Sequence, residues 1–185
     1  MNFIKQQIQA QLKLLSNQTG LDIDTPFHWV INNANNPALF FENLPIIVQN
    51  NAVLYFECLD PVPEASYFYE KHQSKHQQLV ARDSVFPIPT IYHVRFSREF
   101  VAGMTHLISK VPSESLFIHI KCYMDNQIVF TFHDAFSGFL RISNNIPKID
   151  LTKFCNALKC GYTSEKTIPR DPRILDAILS ALEKE

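Results

Sequence analysis

The stretch LFIHIKCYMDNQIVFTFHDAFSGFLRIS, residues 116–143, decides how the chain is read. It reads as a meander of three strands over residues 116–124, 127–133 and 139–143. β-Branched and aromatic side chains fill each run, and such residues suit a pleated, half-buried surface. Asp125-Asn126 supplies the first turn. Asp134, Ser137 and Gly138 supply the second, with Asp134 expected in an Asx-turn and Gly138 as a left-handed exit.

A two-residue turn also fixes a register, because side chains alternate along a strand. Tyr123 then faces Ile128, Cys122 faces Val129, Lys121 faces Phe130 and His119 faces Phe132. One face carries Leu116, Ile118, Ile120, Cys122, Met124 and Val129, a clean core set. The other carries Phe117, His119, Lys121, Tyr123, Ile128, Phe130 and Phe132. On this register His119 and His133 point to opposite faces. A catalytic triad needs a base held between nucleophile and orienting acid. The adjacent pair His133 and Asp134, followed by Ser137, does not supply that arrangement, and no G-x-S-x-G elbow occurs in the chain. No catalytic residue is assigned.

The rest of the chain is read outward from this meander. Ile4, Ile8, Leu12 and Leu15 predict an amphipathic helix over residues 2–17. The asparagine cluster at residues 32–36 predicts turns. Residues 38–41, 45–49 and 52–58 read as strands, with Asn50-Asn51 as a hairpin turn. A helix is predicted over residues 64–80, a strand over 90–96, and a helix capped by Ser97 with a stripe of Phe100, Met104, Leu107 and Ile108. Two helices close the chain, one over residues 150–159 ending at Gly161, the other opening at Asp171-Pro172.

Runs of consecutive strands favour an antiparallel or mixed sheet over a doubly wound parallel one. The expected fold is a single α+β domain over residues 1–185. Two hairpin or meander units form its sheet, flanked by an N-terminal helix, two middle helices and two C-terminal helices. NNAVLYF at 50–56 echoes DNQIVFTF at 125–132, which would suggest a repeated unit over 38–80 and 116–160. Any two hairpins share that pattern, so one undivided domain is the simpler reading.

Composition narrows the function classes. Seventeen basic and eighteen acidic residues give a net charge of -1, against the basic excess of a broad nucleic-acid surface. The four glycines, at 20, 103, 138 and 161, write neither a P-loop nor a dinucleotide fingerprint, and no cofactor is expected. No apolar run approaches the roughly 18 residues of a membrane span. Glutamines interrupt the N-terminal apolar stretch, so a cytoplasmic, soluble protein with reduced thiols at Cys58, Cys122, Cys155 and Cys160 is expected. Cys155 and Cys160, five apart, would lie on different faces of a helix, and no zinc knuckle is spelled.

Two groups of residues remain as site candidates. His72 and His76 stand four apart on the helix predicted over 64–80, a spacing that lets both rings face one metal ion. The position after the first histidine is Gln73 rather than the glutamate of a zincin, so a packing face is favoured over a metal-dependent hydrolase. His93, Arg95, His119, Lys121, Tyr123 and Arg141 would interleave cations and aromatics on one sheet face. That surface suits an acidic protein segment or stacked bases, unless it is covered by helices with Arg95 and Lys121 reaching its edge. With aromatics abundant and no motif for chemistry, the sequence favours a non-catalytic protein-binding module of the immunity-protein, chaperone or adaptor kind. A metal-dependent hydrolase and a nucleic-acid binder stand as the alternatives.

Overall fold

The computed structural model describes residues 20–84 and 87–167. The helices expected over 2–17 and from Asp171 lie outside the described residues. Seven strands form one antiparallel sheet: β1 (Phe27–Ile31), β2 (Val53–Cys58), β3 (Thr90–Arg95), β4 (His119–Met124), β5 (Gln127–Phe132), β6 (Leu140–Ser143) and β7 (Tyr162–Lys166). Their spatial order is β3-β2-β4-β5-β6-β1-β7. Four helices pack on one side: α1 (Pro37–Asn43), α2 (Pro63–Lys71), α3 (Arg98–Ile108) and α4 (Lys148–Leu158). The α+β class and the β4-β5-β6 meander are as the sequence indicates. Residues 38–80 hold one strand of the sheet, whereas 116–160 hold three. Among the described residues no helix is long and apolar enough to cross a membrane.

Local chemistry explains where the elements depart from expectation. Residues 38–41 are helical rather than extended. Asn36 accepts a hydrogen bond from the Leu39 amide at 3.0 Å, and Pro37 occupies the first turn, two features that start a helix. Residues 44–46 continue as a 3₁₀ turn rather than a strand, and Asn50-Asn51 leads into β2 without closing a hairpin. Ser97 caps α3 as expected, accepting from the Phe100 amide at 3.1 Å. α4 stops at Leu158 because Lys159 turns left-handed at φ 56°, so Gly161 is not the terminating residue. The chain doubles back there, and Cys160 Sγ reaches the Cys155 carbonyl at 3.6 Å, so these thiols are neighbours rather than opposed.

β1 and β7 are strands the sequence reading passed over. FHWVI lacks clean alternation, with Val30 and Ile31 adjacent and both buried, and the aromatics beside an asparagine cluster mask it further. YTSEK is an exposed, polar edge strand with no apolar signal, and its pairing with β1 is what orders it.

The register of β4 on β5 is the main correction. Tyr123 pairs with Ile128, but Cys122 pairs with Phe130 and Lys121 with Thr131. The shift between Cys122 and Tyr123 leaves Val129 without a partner, which is a β-bulge. One extra residue reverses every side chain beyond it. Phe130 and Phe132 therefore join Ile120 and Cys122 under the helices, and His133 turns to the side of His119.

Phenylalanines dominate the helix-covered core. The Phe40 ring, fully buried, lies 5.3 to 6.1 Å from those of Phe41, Phe130, Phe132, Phe136 and Phe154. Phe136 belongs to the corner between β5 and β6 and has φ 71°, a costly backbone for a bulky residue. Its ring packs between Phe40, Phe117 and Phe132, which offsets that strain. Gly138 does not take the left-handed conformation expected of it. A Cβ there would stand 2.2 Å from the His133 carbonyl oxygen, so close approach is its reason. Asp134, at φ 43°, makes the left-handed bend instead.

Truncating Phe40 to alanine empties the centre of this cluster. We expect a loss of about 3–5 kcal/mol in denaturant unfolding. Ile149→Ala, at a side chain 63% exposed, should stay within about 0.5 kcal/mol of wild type.

Candidate functional site

The sheet face away from the helices is polar. Antiparallel pairing sets Thr131, Lys121, Tyr55 and His93 in one row across β5, β4, β2 and β3, and His119 beside Glu57 in the next. Arg95, Tyr123 and Arg141 share this side by the same pairing. The structure thus brings all six sequence-selected residues to one face. It does not leave all six open.

Residues 72–84 cross over that face. They do not continue α2, which ends at Lys71. The edge of β3 offers backbone partners instead: the Ser74 amide donates to the His93 carbonyl at 2.8 Å, and the Arg95 amide to the His72 carbonyl at 2.9 Å. Ser74 Oγ also donates to the His76 carbonyl at 2.9 Å, a local turn that competes with helix. His72 and His76 therefore share no helical face. The His72 ring packs on Phe68 at 4.8 Å, while His76 lies exposed on the crossing segment.

Buried polar side chains fasten this segment down. Glu57, fully buried, accepts from the Asp83 and Ser84 amides, each at 2.8 Å. Lys121, also fully buried, pairs with Asp83 Oδ1 at 3.0 Å and donates to the Ala81 carbonyl. Tyr123 Oη accepts from the Gln78 amide at 3.2 Å and lies 2.9 Å from His93 Nδ1. Lys121 and Tyr123 thus hold the chain's own backbone and are buried beneath it. Val53, Tyr55, Tyr123, Ile128 and Val80 form a second, smaller apolar cluster. Burial, with Glu57 adding to it, pushes the Tyr55 phenol far above its ordinary range. Glu57 was legible as an oddity, a carboxylate in the apolar run VLYFEC, whereas nothing in the sequence marked Asp83 as its partner.

At the β5–β6 corner the bulge brings together groups that a regular hairpin would separate. The His119 and His133 ring centroids lie 4.5 Å apart. Asp134 Oδ2 is 3.2 Å from His133 Nδ1, and Asp134 Oδ1 is 3.8 Å from His119 Nδ1. The Asp134 amide donates to His119 Nδ1 at 2.9 Å, which identifies that nitrogen as an acceptor. Burial keeps His119 below the ordinary imidazole pKa, against the opposing pull of Glu57 and Asp83. A stack continues outward, with Phe139 nearly parallel to His133 at 6.0 Å and the Arg141 guanidinium 4.6 Å above the Phe139 ring. Next to it opens a cavity of about 190 Å³ lined by His28, Asp83, Thr131, His133, Arg141 and Glu165 among others. His28 belongs to β1, a strand the sequence did not mark. Among the described residues no hydrogen bond links Ser137 to either imidazole, and its amide serves the turn by donating to the Asp134 carbonyl at 2.9 Å.

The helical side carries a different feature. α2 and α3 leave a largely apolar groove of about 490 Å³ between them, walled by Tyr67, Phe68, Ala102, Gly103 and Leu107. A Cβ on Gly103 would stand 2.5 Å from the Phe68 ring, so glycine there lets the helices approach. Lys71 and Glu99 pair at 3.4 Å beside the groove. No family model matches the chain, and neither the curated proteins nor the solved structures contain a significant match to it.

Two outcomes test the polar face. Lys121→Met removes the buried ammonium's ion pair with Asp83 and its bond to the Ala81 carbonyl and should cost about 3–5 kcal/mol, part of which returns in Lys121→Met/Asp83→Leu. The second concerns pH. Burial holds His93 below its ordinary pKa, so the unfolded chain takes up a proton before the folded one does. Stability should therefore be full above about pH 6.5 and fall as pH drops below it, until the folded imidazole itself charges. Thermal unfolding of His93→Gln across pH 5–7 should show a shallower dependence than wild type.

Proposed function

We propose that the chain is a protein-binding module, and that the groove between α2 and α3 receives its partner. One observation carries the reading: the Tyr67 side chain, 72% exposed, forms a wall of an apolar groove together with Phe68 and Leu107. A large aromatic held in water at the rim of an apolar concavity is the composition of an interface anchor. Two helices with apolar flanks and charged ends suit the apolar face of a partner helix, with side chains spaced one turn apart entering the groove. Glu64, Lys71 and Glu99 would then frame the contact and set its direction. An immunity-protein, chaperone or adaptor role, acting in the cytoplasm, is the form this function takes in our reading.

The polar face contributes rigidity in this account. Its buried charges tie residues 72–84 to the sheet, directly after α2, and so fix the helix that builds one wall of the groove.

Affinity capture from the source cells, run side by side with wild type and Tyr67→Ala, tests the proposal. A partner retained by wild type should bind Tyr67→Ala at least about 30-fold more weakly, the mark of a hot spot. Unfolding should stay within about 0.5 kcal/mol, because the side chain is exposed. Equal retention by both proteins, or no partner for wild type at native concentration, would contradict it.

A further inference from the structure

We propose that His119, His133 and Asp134 form a binding site for one divalent transition-metal ion, of the zinc, cobalt or nickel class. This goes beyond the protein-binding reading and uses a different part of the molecule. The three residues each offer a ligand atom, and these atoms all lie within 4.8 Å of one another. Among the described residues no other group of three or more histidine, cysteine or acidic side chains meets that condition.

The distances suit a small ion. Donors bound at about 2.0–2.1 Å around a tetrahedral centre stand about 3.4 Å from each other. The Asp134 carboxylate is 3.2 Å from one imidazole and 3.8 Å from the other. The three donors, now within 4.8 Å of one another, would draw together to about 3.4 Å around the ion. Two imidazoles with one carboxylate select borderline transition metals over calcium or magnesium, which prefer oxygen alone.

The backbone prepares the arrangement. Asp134 takes φ 43°, and its two carboxylate oxygens face the Nδ1 atoms of the two rings. Adjacent residues on a regular strand would send their side chains to opposite sides. His119 is 4% exposed and anchored in β4, while His133 stacks against Phe139, so both rings are held before an ion arrives. One existing contact competes. His119 Nδ1 accepts from the Asp134 amide, and an ion taking that nitrogen displaces this hydrogen bond in exchange for three metal–ligand bonds.

Three protein ligands leave a fourth position open, as in metal sites that hold water or substrate. His133 also lines the 190 Å³ cavity, where Thr131 and Arg141 stand ready for a bound anion or water. Ligands on the ion would occupy that space.

The test uses the full chain, stripped with chelator and titrated with zinc chloride against a chromophoric competitor. One equivalent should bind, and His133→Ala and Asp134→Asn should each weaken binding at least about tenfold. Both side chains are substantially exposed, at 43% and 60%, so the variants should fold, which unfolding curves verify. His76→Ala should bind as wild type does. No stoichiometric binding, binding indifferent to His133→Ala and Asp134→Asn, or binding lost in His76→Ala would each overturn the site. Metal binding and partner capture are read separately, so this proposal can fail while the groove stands, and the reverse.

Discussion

Val129 has no partner across the β4–β5 ladder, and the two faces of the sheet depend on that extra residue. With it, Phe130 and Phe132 enter the aromatic core beneath the helices. Without it, both rings would point to the polar face, and the core would lose two of the rings packed around Phe40. The hydrophobic effect therefore selects the bulge: burial of two phenylalanines outweighs one unpaired residue in a ladder. The convergence of His119 and His133 follows from the same choice.

Polar and apolar layers then support each other through the sheet. The helical layer is held by aromatic packing, with few polar atoms to satisfy. The opposite face buries Glu57 and Lys121, which would be costly alone, beside a half-buried Asp83. Each has a partner: backbone amides for the carboxylate, a carbonyl and a carboxylate for the ammonium. These bonds give the crossing segment one position rather than many. Loops held by buried charge are specific because few alternative placements would satisfy the same groups. The β5–β6 corner sits at the edge of this network, where residues from β4, the corner and β6 stack in sequence from His119 to Arg141.

Much of the architecture was legible in the sequence, and the misses share a cause. The meander, the Ser97 cap and the α3 stripe are local signals with local reasons, and they hold. α1 was misread because Phe40 and Phe41 suit a strand by composition, while the decisive information was the Asn36-Pro37 start. β1 and β7 owe their extended form to each other and to β6, a long-range pairing that no window of sequence displays. The helix expected through His76 fails because β3 offers a better backbone partner than another turn of helix. The selected residues His93, Arg95, His119, Lys121, Tyr123 and Arg141 do share a face, since alternation within a strand is robust. Their exposure was not legible, because it depends on where residues 72–84 settle. The His119–His133–Asp134 group was hidden by strand parity: a turn-based register is correct only until the first bulge, and a bulge is set by what the core must bury.

The placement of His133 relative to His119 is the most direct consequence of the bulge. Nuclear Overhauser contacts among the imidazole protons of the full chain measure it. We expect ring-to-ring contacts between His119 and His133, consistent with centroids 4.5 Å apart, together with contacts from His133 to Phe139. Contacts from His133 to core rings such as Phe40 or Phe117, with none to His119, would show a regular hairpin and contradict the account.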